Sequence, residues 1–577
     1  MLHKILEQKL QQAVTAVLPN AGAATVLVRP CPDPKFGDYQ TNALMALAKA
    51  RKMNPRQLAA DVAARLDISD LCEPVEIAGA GFLNFRLKTS AIAGALRDAA
   101  SGGPLFFQKT AKPRSIIIDF SSPNVAKPMH VGHIRSTILG DSLARMLKLL
   151  GHRVITDNHI GDWGTQFGKL LVGWKTGLDR AALAADPIAE MERLYKLVNS
   201  RCESDPQTLE NARRELVKLQ SGDAENLAIW HEMIALSESQ FQRVYSRLGV
   251  KFDYSLGESY YNPRLKTVVE ELAQLGIAQP SEGAMAVFFN DAPGLKDHPA
   301  LVRKSDGGFN YTTTDLATLQ FRLEGGTWGE QPDQIIYVTG APQQLHFNQL
   351  FAILRRWKPE TTVKLAHVWF GSVMGEDGKP FRTRSGETVR LEELLDEAEE
   401  RAFNVVSEKS PEFDVALRKE IARVVGLGAI KYADLSQNRQ SDYVFSWDRM
   451  LALQGNTAPY LLYAYTRIRS IFRKGGESAS AGQSQEFVLK EPDELALARR
   501  LLNFGLVLEN AADDYRPNFL CGYLYELAGD YARFYENCPV LKAEGAIRAT
   551  RLALCELTAR VLKQGLEVLG IETTEKM

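Results

Sequence analysis

Two histidines and a lysine lie close together in the sequence, at a point where their side chains could bind a nucleotide. His130 and His133 are separated by Val131 and Gly132, and Lys127 precedes them. Histidine nitrogens can donate hydrogen bonds to phosphate oxygens, and a lysine adds a mobile positive charge. Gly132 has no side chain, so a flat base or a ribose could approach the backbone closely. The group therefore indicates a nucleotide site, although paired histidines at a helix start are also typical of metal ligands or capping groups.

The flanking sequence predicts the strand, loop and helix that would position these side chains. Residues 116–118 are isoleucines, typical of a buried strand, and Pro123 and Pro128 interrupt regular structure. From Gly132 to Leu150, apolar residues recur at helical spacing. The first turn of a helix has free N–H groups and the positive end of the helix dipole, and both favour an anion. A phosphate is therefore expected at the start of this helix.

The loop between strand and helix carries a recognisable motif. Residues 121–133 read Ser-Ser-Pro-Asn-Val-Ala-Lys-Pro-Met-His-Val-Gly-His, which resembles the signature of class I aminoacyl-tRNA synthetases. Its Ser-Pro-Asn and Ala-Lys-Pro parts resemble the arginyl-tRNA synthetase family, as does Gly-Asp-Trp-Gly at 161–164. The resemblance implies that ATP activates arginine to arginyl-adenylate, in the presence of tRNA, and that arginine then passes to the terminal adenosine of the tRNA. The residues it implies for ATP binding are His130, Gly132, His133 and Lys127.

A basic loop occupies the position of the KMSKS segment of that family, and the match is imperfect. The equivalent residues are Phe-Arg-Thr-Arg at 381–384, and the second lysine is missing. Lys127 could supply the missing charge, which the sequence leaves open, and the cations of the loop could hold the pyrophosphate. The alternative is an exposed, solvated loop. The residues predicted to be catalytic are His130, His133, Lys127, Lys379, Arg382 and Arg384.

Tyr311 and Asp315 are candidates for recognising a cationic amino acid. They are four residues apart, so they share one face of a predicted helix. A planar guanidinium needs a carboxylate, preferably bidentate, and an aromatic ring or hydroxyl beside it. From the residues alone, Asp315 as a helix cap is the simpler interpretation. The resemblance favours contact with arginine, because the same spacing of Tyr and Asp occurs in the arginine pocket of that family.

Further polar side chains complete the expected arginine site. Glu258 offers a second carboxylate, and Asn124 and Gln343 could hydrogen-bond the α-amino or carboxylate end of the amino acid. His346 is expected to have only a supporting role at the start of a helix. The residues predicted to bind arginine are Asp119, Ser121, Asn124, Glu258, Tyr311, Asp315 and Gln343.

The order of predicted elements indicates an α/β protein of several domains. A chain of 577 residues exceeds the size of one domain. Between residues 111 and 390, strands and helices alternate, which predicts a doubly wound parallel, Rossmann-like catalytic sheet with a helical insertion at about 179–250. We expect an N-terminal α/β module at 1–110, a helical connector at 391–455 and a C-terminal all-α bundle at 456–577.

The two terminal regions are the expected tRNA-binding parts. The resemblance implies that the N-terminal module contacts the D-loop of tRNA and that the C-terminal bundle binds the anticodon. Phe82 could stack on a splayed base and Asn84 could read a base edge, although Phe82 as a core residue is the simpler interpretation from the sequence. In the bundle, aromatic residues lie among arginines, a composition that suits unstacked bases. The candidates there are Tyr460, Tyr463 and Met577.

Composition restricts the class of protein further. The net charge of −1 weakens an RNA-binding hypothesis slightly, but a large enzyme can confine its positive charge to one face. The six cysteines are scattered and form no C-x-x-C, which indicates reduced thiols in a cytosolic protein. No apolar run reaches membrane-spanning length, and no signal peptide is recognisable. We expect a cytoplasmic monomer that uses ATP with Mg²⁺, arginine and tRNA, and that has no resident metal, tightly bound cofactor, DNA partner or membrane contact.

Two other classes of function remain open. One is a small-molecule nucleotidylyltransferase that shares the H-x-G-H turn, against which the aromatic and arginine-rich C-terminal bundle argues. The other is a non-catalytic RNA-binding or regulatory paralogue, for which the imperfect KMSKS segment is the only support.

Overall fold

The computed structural model describes residues 1–19, 26–381, 389–475 and 487–577. The chain forms two compact units. Unit 1 comprises Met1–Lys109, Leu451–Glu567 and Ile571–Met577, and unit 2 comprises Thr110–Met450 and Val568–Gly570. In the described ranges, no helix is both long enough and apolar enough to cross a bilayer.

A parallel sheet forms the centre of unit 2. Its four strands lie in the order Lys364–His367, Gln334–Val338, Ser115–Phe120 and Arg153–Asp157, and each pairs in parallel with its neighbour. The isoleucines of the Ser115–Phe120 strand are fully buried, as expected for a strand covered on both faces. The prediction of an α/β protein with a parallel sheet is confirmed.

Helices connect and cover the strands of this sheet. The Val131–Leu149 helix follows the Ser115–Phe120 strand and packs so closely on it that a Cβ at Gly140 would overlap the ring of Phe120. Glycine is therefore needed where helix and strand meet. The helices of unit 2 are Val131–Leu149, Gln166–Gly177, Arg180–Ala185, Pro187–Ser204, Pro206–Gln220, Ala224–Leu248, Asn262–Gln274, Tyr311–Leu323, Gln344–Trp357, Leu391–Lys409, Val415–Leu435 and Trp447–Met450.

Two smaller sheets accompany the parallel sheet in unit 2. Ala278–Ser281, Ala284–Val287 and Ala300–Arg303 form an antiparallel sheet of three strands. Val373–Met374 pairs in parallel with Tyr443–Val444. The second pair fixes the backbone that leads into the basic loop.

Unit 1 combines a small antiparallel sheet with helices. The strands lie in the order Arg29–Pro30, Tyr39–Thr41, Phe82–Phe85 and Glu76–Ala78. The helices of unit 1 are Leu2–Val17, Ala43–Arg51, Pro55–Ala63, Thr89–Ala100, Ala458–Gly475, Pro492–Leu502, Phe504–Asp513, Pro517–Asn537 and Gly545–Val568. An α/β module at the N-terminal end and helices at the C-terminal end agree with the predicted fold class. The bounds of the four predicted domains stay a prediction.

Candidate active site

A pocket of about 610 Å³ opens in unit 2 at the carboxyl ends of the strands Ser115–Phe120 and Gln334–Val338. Parallel sheets bind their ligands at this edge. Both histidines of the H-x-G-H turn line the pocket, together with every residue predicted to bind arginine. These lining residues are Asp119, Ser121, Asn124, His130, Gly132, His133, Glu258, Tyr311, Asp315 and Gln343.

His130 and His133 cap the Val131–Leu149 helix reciprocally. The Nδ1 atom of His130 accepts a hydrogen bond from the backbone N–H of Gly132 at 3.1 Å, and Nδ1 of His133 accepts from the backbone N–H of His130 at 3.0 Å. Because both Nδ1 atoms accept, each neutral ring carries its proton on Nε2. The capping interpretation and the nucleotide interpretation are therefore compatible, since capping leaves the Nε2–H groups free to donate.

Both imidazoles are held in the neutral form. Burial, and next the charge of His130, lowers the pKa of His133 to about 3. Burial, and next the positive charge of Lys127, also lowers the pKa of His130. At neutral pH these side chains are therefore uncharged hydrogen-bond donors, not imidazolium ions.

Gly132 lies against the ring of His130. A Cβ at this position would lie 2.8 Å from Cε1 of His130. A side chain at this position would meet that ring, and the approach of a base or ribose to the backbone of Gly132, which lines the pocket, stays a prediction. The glycine permits the cap, and the cap orients the histidine.

Asp315 lies between two histidines. Its Oδ2 is 2.5 Å from Nε2 of His346, and its Oδ1 is 3.9 Å from Nε2 of His159. The ring of Tyr311 meets His346 edge to face, with centroids 4.9 Å apart.

Asn310 caps the Tyr311–Leu323 helix through its side chain, so the alternative that Asp315 is the cap is wrong. Its carboxylate is directed to the pocket and its histidines instead.

Glu258 is a second carboxyl group in the same pocket. Its pKa is raised to about 7, chiefly by burial and also by the charges of Asp315 and Asp162, while His159 acts in the opposite direction. A group with this pKa is partly protonated at neutral pH and ionises when a cation arrives. The pocket is thus prepared for a positively charged ligand.

Asp119 differs from these two carboxylates, because it already has a guanidinium partner within the chain, which it shares with Asp157. Its Oδ2 accepts a hydrogen bond from Nη2 of Arg322 at 2.7 Å, and its Oδ1 accepts from the hydroxyl of Ser122 at 3.1 Å. Arg322 is fully buried and also pairs with Asp157 at 2.7 Å. Asp119 lines the pocket, and its contact with arginine stays a prediction.

Of the predicted cations that the structure describes, Lys127 and Lys379 do not line the pocket. Lys127 is exposed, and its Nζ lies 5.8 Å from the ring centroid of Tyr195. Lys379 is exposed in a turn where its backbone N–H donates to Asp377. Arg382 and Arg384 lie outside the described residues.

The candidates for tRNA contact lie in unit 1. Phe82 is half-buried, and Asn84 is buried at 4% exposure, so the amide of Asn84 is not presented to a base in this arrangement. Tyr460 and Met577 are half-buried, whereas Tyr463 is 46% exposed. Their contacts with tRNA stay a prediction.

Some residues of the pocket were not found from the sequence. His159 and Thr339 line it, and both lie just beyond strands of the parallel sheet: Thr339 directly follows Gln334–Val338, and His159 follows Arg153–Asp157 with one residue between. The rule that ligands bind beyond the carboxyl ends of parallel strands would have identified both. Phe370 also lines the pocket, and no local signal marks it.

Family models match three parts of the chain. Residues 98–447 match the model described as tRNA synthetases class I (R), catalytic domain. Residues 2–87 match the arginyl tRNA synthetase N terminal domain, and residues 461–577 match the DALR anticodon binding domain. The sheet, the signature histidines and the first of these matches define a class I aminoacyl-tRNA synthetase.

Relatives and solved structures specify the family within that class. An arginine–tRNA ligase of Synechococcus elongatus is 46% identical over 99% of both chains, and one of Chromobacterium violaceum is 44% identical over 100% of both. The arginyl-tRNA synthetase structure of Thermus thermophilus superposes with a TM-score of 0.84 at 27% identity, covering 100% of both chains. That of Plasmodium falciparum gives 0.82 at 29% identity, covering 100% of this chain and 99% of the other. The chain belongs to the arginyl-tRNA synthetase family.

Proposed function

We propose that the pocket of unit 2 binds arginine and ATP side by side and joins them as arginyl-adenylate, the first step of the arginine–tRNA ligation that this family performs. One observation carries the proposal. Two carboxyl groups without a guanidinium partner of their own, Asp315 and Glu258, line the same pocket as the neutral donors His130 and His133.

The carboxyl groups select the amino acid. Asp315 accepts from the guanidinium of arginine, and Glu258 ionises as that cation enters. The ring of Tyr311 lies beside them and covers the planar group. Asn124 and Gln343 hydrogen-bond the other end of the substrate, which directs its carboxylate toward the histidines.

The chemical step is an in-line displacement at the α-phosphorus of ATP. An oxygen of the arginine carboxylate forms the new P–O bond, the bond to the bridging oxygen breaks, and pyrophosphate leaves. Nε2–H groups of His130 and His133 donate to the phosphate oxygens on which negative charge develops. A ribose hydroxyl of the terminal adenosine of tRNA then attacks the arginyl carbonyl, and AMP leaves.

Further cations assist this step. Lys127 leaves the ring of Tyr195 and reaches the phosphates, because a lysine chain is flexible and its contact with the ring is weak. Lys379, with Arg382 and Arg384, holds the departing pyrophosphate.

Mg²⁺ is expected to arrive with the ATP phosphates. Within the ranges that the structure describes, no three His, Cys, Asp or Glu side chains come together to hold a metal ion. These residues do not form a magnesium site by themselves, so no step is assigned to the ion.

Unit 1 supplies the contacts with tRNA in this proposal. Residues 1–110 bind the D-loop through Phe82 and Asn84, and residues 456–577 bind the anticodon through Tyr460, Tyr463 and Met577. We further propose a cytoplasmic monomer without DNA or membrane partners, because one chain supplies the whole pocket and all six cysteines are free thiols.

A charging assay with each of the twenty amino acids and total tRNA tests the proposal. We expect arginine alone to be transferred, with product that depends on ATP. Transfer of a different amino acid would overturn the assignment of Asp315 and Glu258. No transfer of any amino acid, with tRNA still bound, would instead indicate the non-catalytic paralogue.

A further inference from the structure

Arg135 is a buried arginine with several hydrogen-bond partners distant in the sequence. It is 1% exposed and lies two residues after His133 on the Val131–Leu149 helix. Its Nε lies 3.1 Å from each carboxylate oxygen of Asp434. Its Nη1 donates to the carbonyl oxygens of Gly371 at 2.6 Å and Ser441 at 3.3 Å. Such a cation is retained in an interior only when its partners are in place.

The two carbonyl partners belong to the backbone that leads into the basic loop. Gly371 precedes the Val373–Met374 strand, after which the chain turns at Lys379. Ser441 precedes the Tyr443–Val444 strand, which pairs with Val373–Met374. The guanidinium of Arg135 therefore contacts the segments before both strands of this pair.

The neighbours of Arg135 are also held tightly by side chains. The guanidinium carbon lies 5.6 Å from the ring centroid of Phe370, which lines the pocket, and 5.0 Å from that of Tyr443. A Cβ at Gly371 would lie 2.7 Å from Oδ1 of Asp442, so Gly371 packs directly against the segment that precedes the Tyr443–Val444 strand. A change at Arg135 would thus be transmitted to the pocket wall and to the start of the loop.

We propose that Arg135 is a positioning residue for adenylate formation, which sets the strand leading to the basic loop at a fixed place relative to the signature histidines. The inference rests on the proposed function, because that loop is assigned there to the pyrophosphate. Only arginine suits the role. Its planar fork reaches a carboxylate and two carbonyls at once, whereas the ammonium of lysine is a single point charge.

Two substitutions separate positioning from general stabilisation. Arg135→Lys keeps a cation beside Asp434 but loses the fork that reaches Gly371 and Ser441. Asp434→Asn weakens the ion pair and keeps the fork. The matched control is Arg145→Lys on the same helix, where Arg145 pairs with Asp141 at 2.7 Å near the surface. Arginine charging of tRNA gives kcat and KM, and thermal unfolding gives the folded fraction of each variant.

We expect Arg135→Lys to lower kcat per folded molecule on the order of a hundredfold, as a misplaced catalytic group does, with KM for arginine unchanged. Asp434→Asn should lower the unfolding temperature and leave kcat per folded molecule near that of the wild type.

The proposal is overturned if Arg135→Lys lowers only the unfolding temperature, or if it raises KM for arginine with kcat intact. Should Arg135→Lys fail to fold, a loss of kcat in the folded Asp434→Asn protein would overturn it, and retained kcat would support it. Failure of the wild type and of Arg145→Lys to charge tRNA would contradict the proposed function instead.

Discussion

At one end of the pocket, Asp315 contacts His346, and its charge helps to raise the pKa of Glu258 to about 7. At the other end, His130 and His133 are neutral and are fixed by reciprocal capping bonds. We call the first the charged end; it holds carboxyl groups, of which Glu258 ionises as a cation binds. We call the second the neutral end; it offers uncharged hydrogen-bond donors that the capping bonds already hold in place. One pocket thus combines recognition of a cation with preorganised stabilisation of developing negative charge.

Substituting Asp315→Asn should produce the largest effect on the charged end. Leaving a ligand cation without its partner costs about 2–5 kcal/mol, which is a loss of roughly thirtyfold or more in kcat/KM for arginine. Asp306→Asn, at a surface turn where Asp306 Oδ1 accepts from Gly308, is the matched control. Steady-state charging of tRNA measures both, and equal kinetics in the two variants would remove Asp315 from the site.

Substituting His130→Ala, at the neutral end, should change kcat and not KM for arginine. Loss of one preorganised donor lowers kcat by about 10²-fold, while KM for arginine changes little, because the donor acts on the transition state. ATP–pyrophosphate exchange in the presence of tRNA is the measurement. Exchange at the wild-type rate would show that the histidine serves only as a cap.

The contrast between the two ends was partly predictable from the sequence. Isoleucines, prolines and a helical repeat around His130 are local signals, and they predict the strand, turn and helix correctly. The pairing of Asp119 with Arg322 spans 203 residues, and no local pattern reports it. The sequence therefore identifies Asp119 as a candidate for arginine binding but does not show that it also pairs with Arg322. The position of Lys127 beside Tyr195 could not be found for the same reason.

The pH dependence of arginine binding sharpens the comparison, because only the charged end titrates near neutrality. The raised pKa of Glu258, about 7, means that the carboxyl is protonated below pH 7 and ionised above it. KM for arginine should therefore fall as the pH rises from 6 to 8. The pKa of His159 is also raised, by the charges of Asp119 and Asp315 against burial, and its loss of a proton acts in the same direction. Glu258→Gln should reduce the dependence, and a flat wild-type profile would contradict the account.

Substituting Tyr195→Leu, beside Lys127, should have the smallest effect on the kinetics. A cation–π contact at a partly exposed site is worth about 0.5–1 kcal/mol. If the ring holds Lys127 away from the phosphates, its removal should lower KM for ATP by a few-fold. The control is Tyr260→Leu, which removes a tyrosine that is 46% exposed. An increase in KM for ATP would mean that the ring helps Lys127 to bind and does not restrain it.

Calorimetric binding of arginine and of citrulline, its uncharged analogue, tests most directly whether two carboxyl groups select the cation. The wild-type protein should bind arginine and show no measurable binding of citrulline under the same conditions. In Asp315→Asn, the affinity for arginine should fall toward that for citrulline. If the variant keeps the full preference of the wild type for arginine, charge recognition by Asp315 is contradicted.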